Sequence, residues 1–180
     1  MSARIVVHAD ESCLGNGREG DNPGGAGGLV EISRSGETRR SDYYIAEPST
    51  TNNRMAIRSA IAPLELLGER GQSLSLEFVS DSEYLVKGMN EWMRGWKRRE
   101  WRNVKNPELW QELDALAEDH DIRWRWVRGH SGHAKNEYAN FLATRAAQEQ
   151  RTSKGLEESG FLEWLSAERA KGHYTDYDPA

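Results

Sequence analysis

Hydrophobic and polar positions follow two different rhythms along this chain, and the rhythm changes near residue 53. Before it, apolar residues come in short runs. Residues 5–10 (IVVHAD) form one that ends in a carboxylate, the pattern of a buried strand. The glycine-rich stretch 15–28 reads as a loop and turn. Residues 29–32 read as a second strand and residues 38–46, with Tyr43, Tyr44 and Ile45, as a third. Hairpin-style connections make these three antiparallel neighbours. From residue 53 the spacing turns helical, with Met55, Ile57, Ile61, Leu64 and Leu67 on one face of a helix over 53–67. Residues 74–80 (LSLEFVS) predict a strand, and 81–94 a helix opened by an Asp-Ser pair. A helix over 107–119 carries proline in its first turn, where the missing N–H costs nothing. Residues 122–127 (IRWRWV) alternate as a strand does, and a glycine-histidine loop leads into a helix over 134–150.

Strands joined through helices run parallel. The order therefore predicts an α/β fold: a mixed five-stranded sheet, three strands antiparallel and then two parallel, flanked by helices. Residues 1–150 form one domain. After a Ser-Lys-Gly break, residues 151–180 form a C-terminal extension, read as one helix with Phe161, Leu162, Trp164 and Leu165 as its apolar stripe, followed by a polar tail. That stripe packs on its own domain in the simpler reading and docks a partner in the other.

Composition narrows the class. A chain of 180 residues with 37% hydrophobic and 29% charged residues suits a globular protein with a modest core. The single cysteine, Cys13, excludes an internal disulfide and a multi-cysteine zinc site. No run approaches the ~20 apolar residues of a membrane helix. Residues 1–10 lack the apolar length of a signal peptide, so a cytoplasmic location and no membrane partner are expected. The net charge of −5 argues against indiscriminate nucleic-acid binding, but totals hide patterning. Arg94, Lys97, Arg98, Arg99, Arg102 and Lys105 face only Glu100, and Arg123, Arg125, Arg128 and Lys135 face only Asp121. Two basic zones on an acidic protein point to a polyanion bound on one side.

The candidate chemistry begins with two acids. Asp10 ends the first strand and Asp81 follows the strand at 74–80, so parallel neighbours bring both to one sheet edge, where α/β proteins place their sites. Carboxylates meeting there repel unless a cation bridges them, and hard oxygen ligands select Mg²⁺ or Mn²⁺. The plainer reading makes Asp10 a strand-end residue and Asp81 a helix cap.

Five strings then match one family in order. DESCLGN at 10–16, TTNNRM at 50–55, SDSEYL at 80–85, EWMRGWKRREWRNVKNPELWQ at 91–111 and WVRGHSGHAKNEYANFLA at 126–143 resemble type 1 ribonuclease H over residues 4–148. The resemblance implies an RNase H-like fold and an endonuclease that hydrolyses the RNA strand of RNA/DNA hybrids through two divalent ions, acting as a monomer. The family's four metal-binding acids fall on Asp10, Ala56, Asp81 and Asn140, so two are matched and two replaced. His130 matches the family's mobile histidine, which moves protons or releases product. Asn16, Asn52 and Asn53, with Thr51 and Arg54, match its polar contacts to the hybrid groove. Trp92, Lys97, Arg98, Arg99 and Arg102 resemble its basic protrusion, which grips the DNA strand. A solvated salt bridge accounts equally well for Arg54, and core packing for the tryptophans.

The departures decide the expected activity. Asn140 keeps an oxygen that can ligate, without its charge, whereas a methyl group at Ala56 ligates nothing. Impaired or abolished cleavage is therefore expected, with a hybrid-binding protein that does not cleave as the alternative. Glu11 and Glu83 are unusual acids near the site. Adjacent strand residues point to opposite faces, so Glu11 reads as a poor substitute ligand and Glu83 as the better one.

Overall fold

The computed structural model describes residues 2–15 and 22–180. Three long strands open the fold: β1 (Arg4–Cys13), β2 (Gly24–Arg34) and β3 (Glu37–Glu47), paired antiparallel. Ser35 and Gly36, both at positive φ, make the tight turn between β2 and β3. Helix α1 (Asn52–Gly68) crosses to β4 (Ser75–Ser80), which lies parallel to β1. Helix α2 (Glu83–Lys87) continues through a π-helical turn (Gly88–Trp92) into α3 (Met93–Arg98), so the predicted helix over 81–94 starts later and runs further. Helices α4 (Pro107–Glu118) and α5 (Ala134–Glu149) flank β5 (Asp121–Trp126), which is parallel to β4. A short β6 (Glu157–Glu158) and α6 (Phe161–Ala170) follow.

The sheet order is β5-β4-β1-β2-β3-β6. The mixed sheet stands as expected, with a sixth strand that the sequence did not announce: two residues of β6 pair with Ser41 and Asp42 of β3. Two acidic residues carry no strand pattern, so only the neighbouring edge could define them.

Two cores cover the two faces. On one, Val7, Ala9, Val30, Tyr43, Ile57, Phe78 and Leu85 pack with α1 and α4 around the fully buried Trp110. On the other, Leu29 meets Ala134, Tyr138 and Leu142 of α5 and Phe161 and Leu165 of α6. Asp42 ties the extension to this layer, accepting from the Tyr138 hydroxyl and from the Gly160 N–H.

Of the glycines read as a loop, Gly24, Gly25, Gly27 and Gly28 are strand residues of β2. A Cβ at Gly25 would lie 2.3 Å from the Ala143 carbonyl oxygen, and one at Gly27 would lie 2.9 Å from the Leu142 Cβ. The bare backbone lets α5 lie directly on the sheet, a close approach that strand propensity cannot anticipate. Gly88 does the same for Trp110, whose ring occupies the place of a side chain there.

Candidate metal and nucleic-acid site

Register places the acids. β1 and β4 pair from Ile5↔Leu76 to Ala9↔Ser80 and no further, so Asp10 and Asp81 are the next residues at the same sheet edge. Opposite residues of an antiparallel pair share a face. Asp10 faces Gly27, hence the α5 side, and Glu11 faces Ala26, hence the side of Tyr43 and α1. Alternation therefore holds at the Cβ atoms. The carboxylates nonetheless converge: ligand oxygens of Asp10, Glu11 and Asp81 all lie within 4.8 Å of one another. β4 pairing ends before this point, and the longer glutamate arm brings its carboxylate to the other two acids. The expectation that Glu11 points away from the site is thus corrected. Glu83 does not join the cluster: it is exposed and pairs with Lys87 at 3.5 Å.

The three acids are held and strained electrostatically. The Glu11 N–H donates to Asp10 Oδ1 at 2.8 Å, while Glu11 Oε2 is closed off from solvent without a partner among the described residues. Burial, and then the Glu11 and Asp81 charges, push the Asp10 carboxyl well above the usual carboxylate range. Burial and Asp81 do the same to Glu11. Asp81 is not the helix cap of the plainer reading. Ser82 takes that role, accepting from the Leu85 N–H at 3.1 Å, which leaves the Asp81 carboxylate to the cluster. The Asp81 carbonyl accepts from Trp126 Nε1 at 3.0 Å, and Gly129 lies so close that a Cβ there would sit 2.5 Å from Asp81 Oδ2. Trp126 and Gly129 are site-shaping residues that sequence reading assigned no such role; only their position across the sheet edge reveals it. Buried carboxylates with an orphaned oxygen fit a hard divalent cation, which would neutralise the repulsion and complete the unpaired acceptor.

Ala56 is 1% exposed within the core on the α1 side, so no ligand arises there. Asn140 is half-buried on α5 and lines a groove with Phe141, Arg145 and Trp164. His130 is exposed, at positive φ, with Nδ1 3.2 Å from a Glu137 oxygen. Asn16 lies outside the described residues.

The opening of α1 divides its polar residues. Thr51 is the N-cap, its hydroxyl accepting from the Arg54 N–H at 3.2 Å. Asn53 is exposed and Asn52 half-buried. Arg54 makes the salt bridge of the alternative reading, to Glu108 at 3.0 Å. In the basic segment Trp92, 39% exposed, packs at a tilt on Trp96, which packs in the same way on Trp101 and Trp110, so the tryptophans do anchor it. Arg98, Arg99 and Arg102 are exposed. Lys97 is engaged elsewhere, at 2.7 Å from Asp114 and 3.2 Å from Glu118 of α4.

The family model described as RNase H matches residues 2–148. The chain belongs to the RNase H family. Ribonuclease H of Polynucleobacter asymbioticus is 44% identical over 150 residues, covering 81% of this chain and 90% of that protein. Ribonuclease H of Thiobacillus denitrificans is 43% identical over 157 residues, covering 84% and 99%. The crystal structure of LC9-RNase H1, described as a type 1 RNase H with the type 2 active-site motif, superimposes with a TM-score of 0.86 at 49% identity, covering 91% of this chain and 81% of that one. This RNase H family member is thus of the type 1 branch, a branch of nucleases. Among its described residues no helix is long and apolar enough to cross a membrane.

Proposed function

We propose that this RNase H family chain is an active ribonuclease that hydrolyses the RNA strand of RNA/DNA hybrids, with Mg²⁺ or Mn²⁺ held by Asp10, Glu11 and Asp81. The observation that carries this is the Glu11 carboxylate, drawn into the acidic cluster with one oxygen buried and unpartnered. Glu11 leaves β1 on the α1 side, the side from which an acid at position 56 would come. A charge missing from the helix is supplied from the strand. The relative described as a type 1 RNase H with the type 2 active-site motif supports a type 1 scaffold that accepts a different set of acids.

When bound, the divalent ions supply an activated water and stabilise the leaving oxygen. Asp10, the most buried of the three acids, would hold the ions together with Glu11 and Asp81. Asn140 adds a neutral oxygen from α5. His130, on its exposed loop, carries a proton or helps release product, with Glu137 restraining its ring. Asn52 and Asn53, with Asn16, read the shallow groove of the hybrid through groups that both donate and accept. Arg98, Arg99 and Arg102 hold backbone phosphates. The chain works as a monomer in the cytoplasm.

The test is cleavage of a labelled hybrid in Mg²⁺ and in Mn²⁺ by the chain and by Glu11→Gln, Glu83→Gln and Ala56→Glu. Loss of a ligand worth about 3 kcal/mol of transition-state stabilisation makes Glu11→Gln roughly a hundredfold slower, with Glu83→Gln unchanged. Ala56→Glu brings no gain, because the site already holds its third carboxylate and the added chain enters a packed core. An unmodified chain that binds hybrid but cleaves only as Ala56→Glu would establish the alternative, a hybrid-binding protein without activity.

A further inference from the structure

A polar cavity lies along β1 from the acids, at His8. It measures about 200 Å³ and is lined by His8, Arg125, His133, Lys135, Asn136 and Tyr177, together with Val79, Val127 and Ala134. Among the described residues no carboxylate lines it, and Arg125, Lys135 and Asn136 bring donors to it. It opens at the first turn of α5, whose N-cap residue His133 makes no side-chain capping bond. The first N–H groups of that 16-residue helix have no partner within it and carry its positive end. The independent sign is Asn136. Asn136 is only 4% exposed, and among the described residues its Nδ2 has no hydrogen-bond partner. A buried amide donor left unmatched calls for an acceptor.

The surrounding charges are arranged to leave a positive remainder. Glu31 is compensated by two cations, Lys135 Nζ at 2.9 Å and Arg40 Nε at 2.9 Å, and hydrogen-bonds with His8 Nε2 at 3.2 Å. Arg125 meets Glu77 through Nε at 3.0 Å, which leaves the end of its guanidinium for another acceptor. Tyr177 comes from the C-terminal extension, outside the part of the chain that the family model matches.

From these residues we infer an anion site at the start of α5 that binds a phosphate group, with Arg125, Lys135, Asn136 and the first turn of the helix as its donors. Oxyanion geometry suits it because a phosphate only accepts and can take several donors at once. His8 lies two residues before Asp10 on the same face of β1, so the site stands about 7 Å along the strand from the acidic cluster. The phosphate is either one in the nucleic-acid strand passing over the acids or a free phosphate or mononucleotide.

Titration of inorganic phosphate into the full chain by calorimetry tests this, in EDTA to silence the acids and at constant ionic strength. Saturable binding is expected, with the Ala134, Lys135 and Asn136 amides shifting in nitrogen-edited NMR spectra. Arg125→Gln weakens it about tenfold, as loss of a charge-assisted bond does, and Asn136→Asp, which brings a negative charge into the cavity, abolishes it. Arg39→Gln, on the distant hairpin, leaves it unchanged. Repeating the titration with hybrid bound separates the sources: phosphate excluded by hybrid assigns the site to the strand, and phosphate bound equally well assigns it to the free anion. No saturable binding, or Arg125→Gln binding as well as the parent, overturns the inference.

Discussion

At the scale of single residues, the acids that make the site also weaken the fold. Asp10 and Glu11 hold carboxyls raised first by burial and then by neighbouring charge, from Glu11 and Asp81 at Asp10 and from Asp81 at Glu11. A group whose folded pKa lies above its unfolded value contributes fully only below the unfolded value, and its contribution is lost as pH rises toward the folded one. Without metal, stability should therefore decline from the ordinary carboxylate range upward past neutrality. Asp10→Asn keeps an oxygen to accept from the Glu11 N–H and removes a carboxyl that is costly to ionise there. It should raise stability near neutral pH by about 1–3 kcal/mol while ending cleavage, a trade of stability against function. Urea unfolding in EDTA across pH checks this: a variant no more stable than the parent at pH 7 would mean that the cluster carries little repulsion.

At the scale of elements, two contacts are the informative ones. The first is α5 on β2. Gly25→Ala sets a methyl 2.3 Å from the Ala143 carbonyl oxygen, backbone that cannot swing aside. Overpacking of this kind costs about 1–3 kcal/mol, and because α5 carries Asn140 the displaced helix should lower cleavage as well. Chemical unfolding and hybrid cleavage of Gly25→Ala measure both. The second is α3 on α4. Lys97 is taken up by Asp114 and Glu118, whereas Arg98 and Arg99 stand free of any side-chain ion pair among the described residues. Removing Arg98 and Arg99 together should reduce the salt slope of hybrid binding by about 2, one per phosphate contact. Lys97→Ala should leave that slope nearly unchanged and cost under about 1 kcal/mol of stability. Binding measured over a range of KCl separates the two.

At the scale of the molecule, the extension completes the second core. Phe161 and Leu165 are 0% and 1% exposed against Leu29, Tyr138 and Leu142, and β6 covers the edge of β3. Leu162, by contrast, is 52% exposed, so the FLEWL segment turns one side inward and one outward. Phe161→Ala should lower unfolding stability by about 3–5 kcal/mol, the range for a large aromatic truncated in a core. Stability unchanged in that variant would return the segment to the partner-docking reading.

The sequence by itself determined the strand and helix order, the parallel placing of Asp10 and Asp81 and the family, because periodicity and local strings record which face each residue buries. It also marked Ala56 and Asn140 as departures. What it could not supply were relations across the fold. Gly24 to Gly28 read as a loop because strand propensity counts side chains, whereas here their absence admits a helix. Glu11 read as pointing away because alternation fixes Cβ directions only. Where a side chain ends depends on its length and on what blocks its path, and β4 ends two residues short of a place opposite Glu11. Tertiary structure alone decided that three carboxylates meet, since their convergence is set by where neighbouring strands end.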